Sequence, residues 1–477
     1  MFFLIILLVS LLVRLYSLDF PLSYIFAWGD GTRDYFVANH IVLFHEYPLL
    51  GPFNLLYEAG IYNTPLYYYF LAFFLNIYNS VFTLGVVNVI FQIATIVLIY
   101  LIAKKLFDKK TAILSTLIFS FSPEILAQSD YIWQPHLSQA FAYLSLFLAV
   151  LFYFNKRFIF LFWSSLILAF SFAMHNSTLP WIPIFFLFFY RHFLKIILPF
   201  SLFMALLYLP VIIYLWQIDY SRAPFALFIQ NAGQYLANFF INLEGILKAF
   251  QINNLWMVVI SVLGVVYFIK SKDKKETKLT VLLLLVLFLS PIFSAATFNK
   301  FRLHYLALSL GVLTIFLGKI FTFSKYRIVT FVVGSLLLLS TTNNLQFLNF
   351  QKNSFENQKL VNDISSSILN EVGNSSFQIK SYAMDEKIFE YPTLDTIFLI
   401  PLEAKLNKKL AVLDDNSPFN HVQTGGKDYF IIACHDFSKL SRWSECLEVF
   451  KKSYPSYIII KSLYTGPNLA IYLSKNE

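Results

Sequence analysis

The chain has 477 residues, 58% hydrophobic and 13% charged, with a mean hydropathy of +0.64. Soluble domains carry about a quarter charged residues, so most of this chain belongs in lipid. A net charge of +9 does not mark a nucleic-acid binder, because the Lys and Arg sit mainly in short loops between apolar spans and no nucleic-acid-binding module is present.

The 55 Phe and 29 Tyr carry no functional weight, since an AT-rich genome inflates both. The first stretch, MFFLIILLVSLLVRLY, lacks a basic leader region and a small-residue cleavage site after its apolar run, and is expected to be an uncleaved first span. Further spans are expected near residues 80–103, 111–127, 137–154, 158–174, 179–190, 196–215, 255–269, 279–297, 304–321 and 328–345, eleven in all with residues 1–18. Almost no Asp, Glu, Lys or Arg falls inside them.

Charge fixes the expected orientation. Sixteen Lys and Arg, from Lys104 to Arg327, fall in alternate loops of one side, against five on the other: Arg33, Arg222, Lys248, Lys300 and Arg302. The positive-inside rule then puts the N-terminus in the cytoplasm, and an odd number of spans puts the C-terminal segment outside.

The first outer loop, residues 19–79, gathers Asp30, Asp34, Glu46 and Glu58. If TRDYFVANHIVLF is helical, Asp30 and Asp34 lie one turn apart at its positive end. They read either as a cap with a first-turn acid or as a general base with an electrostatic or metal-binding partner. LYYYFLAFFLN is too short to span and suits an interfacial helix. The second outer loop offers Asp130 beside Trp133 and His136, an acid next to an aromatic platform of the kind that suits a sugar ring. The third offers His175 and Asn176, read as loop polar groups. In the fourth, residues near 218–254 look amphipathic and include Arg222. The fifth, FNKFRLHYLA, sets Lys300 and Arg302 on the cation-poor side, followed by His304 and Tyr305. Such a pair either snorkels at the interface or recognises phosphate, for which Arg supplies a fork and Lys a point charge. No metal-ligand spacing, phosphate-binding glycine loop or serine nucleophile elbow is present. The sequence requires no cofactor, and a divalent metal between the carboxylates stays open.

Residues 346–477 turn polar and read as a small soluble α/β domain. A helix is expected over Glu356–Glu371 and strands over FQIKSYA, KLAVL, DYFIIAC, YIIIKSLY and LAIYL. Cys434 and Cys446 are the only cysteines; an extracytoplasmic location permits a disulfide, and the alternative is two unpaired thiols in a packed strand and helix.

The first loop, with GDGTRDYFVA, then EYPLLGP, then NTPLYYYFLA, resembles the start of family 39 glycosyltransferases. These include protein O-mannosyltransferases and the aminoarabinose transferases that act on lipid A, all of the GT-C membrane fold. The resemblance implies that Asp30 takes the place of the catalytic aspartate with Arg33 as its neighbour. It also implies that Asp130 matches a second acid, and that Arg302 and Tyr305 match an Arg-Tyr segment opening a late span. Two positions depart from that pattern. Gly31 stands where the second acid of an Asp-Glu pair would be, so Asp34 or Glu58 would have to compensate. Asn63 and Thr64 stand where the aminoarabinose branch has Lys-Pro.

The expectation is an integral membrane enzyme, inverting, that transfers a hexosyl or pentosyl group from a polyprenyl-phosphate donor to a hydroxyl of a lipid, glycan or protein. Asp30, Asp34 and Asp130 form its catalytic set; Arg33, Glu58, Arg222, Lys300, Arg302, His304 and Tyr305 bind substrate. The rivals are a polymerase or ligase using a lipid-diphosphate donor, a lipid-linked sugar transporter, which would need charges near the midplane, and a scaffold, which would not need the acidic loop.

Overall fold

The computed structural model describes residues 1–16, 30–52, 62–122, 125–126, 132–179, 181–217, 307–322, 345–384, 387–415, 421–436, 442–466 and 469–476. In chain order its helices are α1 (Phe2–Tyr16), α2 (Asp30–Phe44), α3 (Leu66–Ile77), α4 (Val81–Leu106), α5 (Lys109–Phe121), α6 (Gln134–Asn155), α7 (Phe158–Met174), α8 (Trp181–Phe188), α9 (Phe193–Leu207), α10 (Leu209–Gln217), α11 (Ala307–Phe321) and α12 (Leu345–Val372). An α/β segment follows: β1 (Phe377–Met384), β2 (Ile388–Glu390), α13 (Thr396–Leu406), β3 (Ala411–Leu413), β4 (His421–Gln423), β5 (Tyr429–Asp436), α14 (Trp443–Ser453), β6 (Tyr457–Thr465) and β7 (Leu469–Asn476).

Three stretches among the described residues, Val81–Leu106, Gln134–Asn155 and Tyr190–Leu207, are long and apolar enough to cross a membrane, and several shorter apolar helices accompany them. The spans expected near 255–269, 279–297 and 328–345 lie outside the described residues. Helix boundaries follow local chemistry. Asp108 caps α5 by accepting from the Thr111 N–H at 2.8 Å. Lys156, left-handed at φ 58°, ends α6 by donating its N–H to Phe152 O.

The chain divides into two compact units. One comprises Met1–Leu18, Leu49–Tyr67 and Gly85–Leu348; the other comprises Asp19–Pro48, Tyr68–Leu84 and Asn349–Glu477. The unit that holds the C-terminal sheet therefore also takes residues 19–48 and 68–84, which the sequence reading grouped with the membrane part.

In the first unit, small residues bring helices close. Ser145 of α6 and Ser164 of α7 each donate to the other's carbonyl, at 2.8 and 2.7 Å. Arg14 is a charged residue within a span. It is fully buried in α1, with Nε on Gln92 Oε1 (2.9 Å), Nη1 on the Ser10 carbonyl (3.2 Å) and hydroxyl, and Nη2 on Ser120 O (3.1 Å). Those acceptors satisfy a guanidinium that lipid alone could not.

In the second unit, a five-stranded sheet runs in the order β2-β1-β5-β7-β6. β1 and β5 are parallel, with Phe377 opposite Tyr429 and Met384 opposite Asp436, and the other pairs are antiparallel. Alternation sorts β5 between two faces. Phe430, Ile432 and Cys434 pack with Tyr382 and Met384 against Cys446 and Phe450 of α14. His435 points the other way, 6.3 Å from the Phe398 ring of α13. The disulfide Cys434–Cys446 is formed, joining β5 to α14 with Cα atoms 6.3 Å apart. All five strands read from sequence are present, and the expected helix over Glu356–Glu371 is the later part of α12.

Candidate functional site

The segment DGTRDY opens α2, and its charges pair within one turn. Arg33 Nη1 donates to Asp30 Oδ1 at 2.9 Å, while Nε and Nη2 donate to Asp34 Oδ1 at 3.0 and 2.7 Å. Burial separates the two acids. The Asp34 side chain is 0% exposed and that of Arg33 4%, whereas Asp30 keeps 28% of its surface open. Burial works against the charge on Arg33, and the carboxylates of Asp34 and Asp30 outweigh it, so its pKa stands well above the ordinary value. Two carboxylates and one guanidinium leave the turn with a net negative charge, borne toward solvent by Asp30.

The far end of α2 is held by a second charged group. His40, fully buried, places Nδ1 2.9 Å from Glu46 Oε2 and Nε2 2.9 Å from Glu403 Oε2. Glu403 Oε1 accepts from the Leu410 and Ala411 N–H groups at 2.7 and 3.1 Å. Glu46 Oε1 accepts from Lys409 Nζ at 2.6 Å, and its Oε2 accepts from the Leu413 N–H at 3.2 Å. Burial would raise the Glu46 pKa; His40, Lys409 and Leu413 hold it below the usual carboxylate range. At the near end, Thr396 Oγ1 donates to Thr32 Oγ1 at 3.1 Å.

Asp30, Arg33 and Asp34 are thus brought together as one cluster. Asp130, Glu58, Arg222, Lys300, Arg302, His304 and Tyr305 lie outside the described residues. Asn63 and Thr64 are buried and donate to backbone, Asn63 Nδ2 to Pro52 O at 2.9 Å and Thr64 Oγ1 to Ala173 O at 2.8 Å. His136 meets Trp133 edge to face at 5.6 Å. His175 caps the short turn after α7, its Nδ1 accepting from the Ser177 N–H at 3.1 Å, which leaves the ring proton on Nε2.

His40, Glu403, Lys409 and Thr396 were not singled out from sequence. Their partners lie more than 360 residues away along the chain, beyond any local pattern. Among the described residues no group of three or more His, Cys, Asp or Glu could hold a metal ion. What the cluster can do is acid–base and electrostatic work: it presents one anchored carboxylate, at a helix start, to whatever approaches from solvent.

No protein-family model matches the sequence, and no curated protein matches it either. Solved structures do. ArnT from Cupriavidus metallidurans bound to undecaprenyl phosphate superposes with a TM-score of 0.61 at 10% identity, covering 98% of this chain and 97% of that one. The Archaeoglobus fulgidus oligosaccharyltransferase tethered with an acceptor peptide gives 0.52 at 12% identity, covering 98% and 74%. AglB from the same organism, in complex with an inhibitory peptide and a dolichol-phosphate, gives 0.51 at 13% identity, covering 90% and 69%. The chain has the GT-C membrane fold of these proteins.

Proposed function

We propose that this chain is an integral membrane glycosyltransferase that moves a sugar from a polyprenyl-phosphate donor to an acceptor hydroxyl. One observation carries the reading: in a fold shared with ArnT bound to undecaprenyl phosphate, the first turn of α2 holds Asp30 by Arg33 and leaves it the solvent-facing acid. The first-loop resemblance to family 39 supports it independently.

In this reading Asp30 accepts the proton of the acceptor hydroxyl as the oxygen attacks the anomeric carbon, and configuration inverts. A base must lie within hydrogen-bond reach of its proton, and Arg33 fixes where Asp30 Oδ1 stands. Asp34 neutralises Arg33 from the buried side. Lys300, Arg302 and Arg222 stabilise the charge that gathers on the leaving phosphate, with Asp130, Glu58, His304 and Tyr305 lining the substrate. The N-terminus is cytoplasmic and the site faces outward, on the side that carries few cations.

The test is transfer of label to endogenous acceptors in membranes holding the chain, comparing polyprenyl-monophosphate with polyprenyl-diphosphate sugars. Transfer from the monophosphate donors supports the reading. Transfer only from diphosphate donors makes the chain a polymerase or ligase, and movement of donor across the bilayer without transfer makes it a transporter.

A further inference from the structure

The unit built around the C-terminal sheet includes the acidic helix and holds it at two points. Thr396 and Glu403 are seven residues apart on α13, two turns, and so share a face; Thr32 and His40 are eight apart on α2 and do likewise. Thr396 meets Thr32 and Glu403 meets His40, so the two helices run in the same direction with two polar ties about 10–12 Å apart along their axes. Two ties at that separation set both the axial position and the rotation of α2.

All four side chains are buried, at 0% for Thr396 and His40, 3% for Glu403 and 4% for Thr32. Thr396 also donates to Thr393 O, His40 also meets Glu46, and Glu403 keeps its two backbone donors, so sliding or turning α2 costs the two ties themselves, about 0.5–3 kcal/mol each, and that difference favours this register. Each tie is also braced from the sheet side. Asp395, immediately before Thr396, accepts from the Ser381 N–H of β1 at 2.9 Å and from Gln423 Nε2 of β4 at 2.8 Å. Glu403 is preset by the Leu410 and Ala411 N–H groups. Thr32 lies in the same turn as Asp30, Arg33 and Asp34, so whatever fixes its hydroxyl fixes the direction in which the exposed acid points.

We infer that Thr396 and Glu403 are positioning residues for Asp30, and that the C-terminal domain takes part in the reaction as the holder of the acidic turn. The inference rests on the transferase reading for its catalytic consequence, but its geometry does not. Cutting either tie lets the first turn rotate and moves the Asp30 carboxylate without touching it. A misplacement of about 1 Å is enough to lower turnover by about 100-fold.

The experiment uses the full chain in membranes, with two readouts. The only two cysteines are joined to each other, so Asp30→Cys introduces the sole thiol. Its alkylation by a membrane-impermeant maleimide is timed with α13 intact, and again with Thr396→Val or Glu403→Gln added. The inference expects a several-fold change in rate on cutting a tie, and none with Thr396→Ser, which keeps the hydroxyl. Separately, with Asp30 in place, Thr396→Val and Glu403→Gln should lower kcat by about 10- to 100-fold with KM for the donor little changed, and Thr396→Ser should restore it. Equal alkylation rates in all backgrounds overturn the inference. Unchanged kcat in both variants overturns it as well. A native chain that transfers no label defeats the transferase reading, and the thiol rates then decide this one alone.

Discussion

Arg33 donates to the same oxygen of Asp34 from two nitrogens, Nε at 3.0 Å and Nη2 at 2.7 Å, and neither residue exposes more than 4% of its side chain. Asp34 is therefore a buried counter-ion, and Asp30 is the member of the trio that meets solvent. Truncating Asp34→Ala leaves a guanidinium buried with only one described carboxylate, a loss of about 3–5 kcal/mol. Denaturant or thermal unfolding of the detergent-solubilised protein measures it, and a change below about 1 kcal/mol would deny Asp34 that role.

Asp395 makes the second unit pH-sensitive. Burial pushes its carboxyl up to about 8 from the ordinary 3.8, against the hydrogen bonds from Ser381. Below the unfolded pKa both states hold the proton. Between about 4 and about 8 only the folded state keeps it, so stability is highest at the acid end and is lost as pH rises through that window. The melting temperature should fall between pH 5 and pH 8 in the native protein, and fall less in Asp395→Asn; parallel slopes would contradict the assignment.

How much of this was legible in the sequence depends on range. Apolar length placed α1, α4, α6 and α7, because lipid sets a minimum and leaves composition to do the rest. The α2 acids were legible because Asp30, Arg33 and Asp34 are spaced to meet within one helical turn. The division of labour between Asp30 and Asp34 was not, since it depends on which side of α2 is covered. Nor were the ties from His40 to Glu403 and from Thr32 to Thr396, because tertiary register at that separation leaves no local trace. The Cys434–Cys446 bond stood open until β5 and α14 brought the two together.

That disulfide closes a short loop, with a sequence separation of 12. Replacing both cysteines by serine should cost about 2–3 kcal/mol. Melting of the double variant against the native chain, without reductant, checks the figure.

Close helix packing in the first unit rests on glycine at position 318 of α11. A Cβ there would stand 2.8 Å from the Ser115 backbone nitrogen and 2.8 Å from Thr111 O of α5, neither of which can swing away. Gly318→Ala should destabilise by about 1–3 kcal/mol by forcing α11 off α5. A variant with native melting temperature would show that the two helices separate without penalty.

The central claim is that the Asp30 carboxylate performs the transfer, and it is tested most directly by label transfer from polyprenyl-phosphate sugars in membranes carrying either the native chain or Asp30→Asn at matched abundance. The account predicts transfer by the native chain and loss of at least about 100-fold with the substitution, as removal of a general base entails. Equal transfer by both proteins would take Asp30 out of the mechanism.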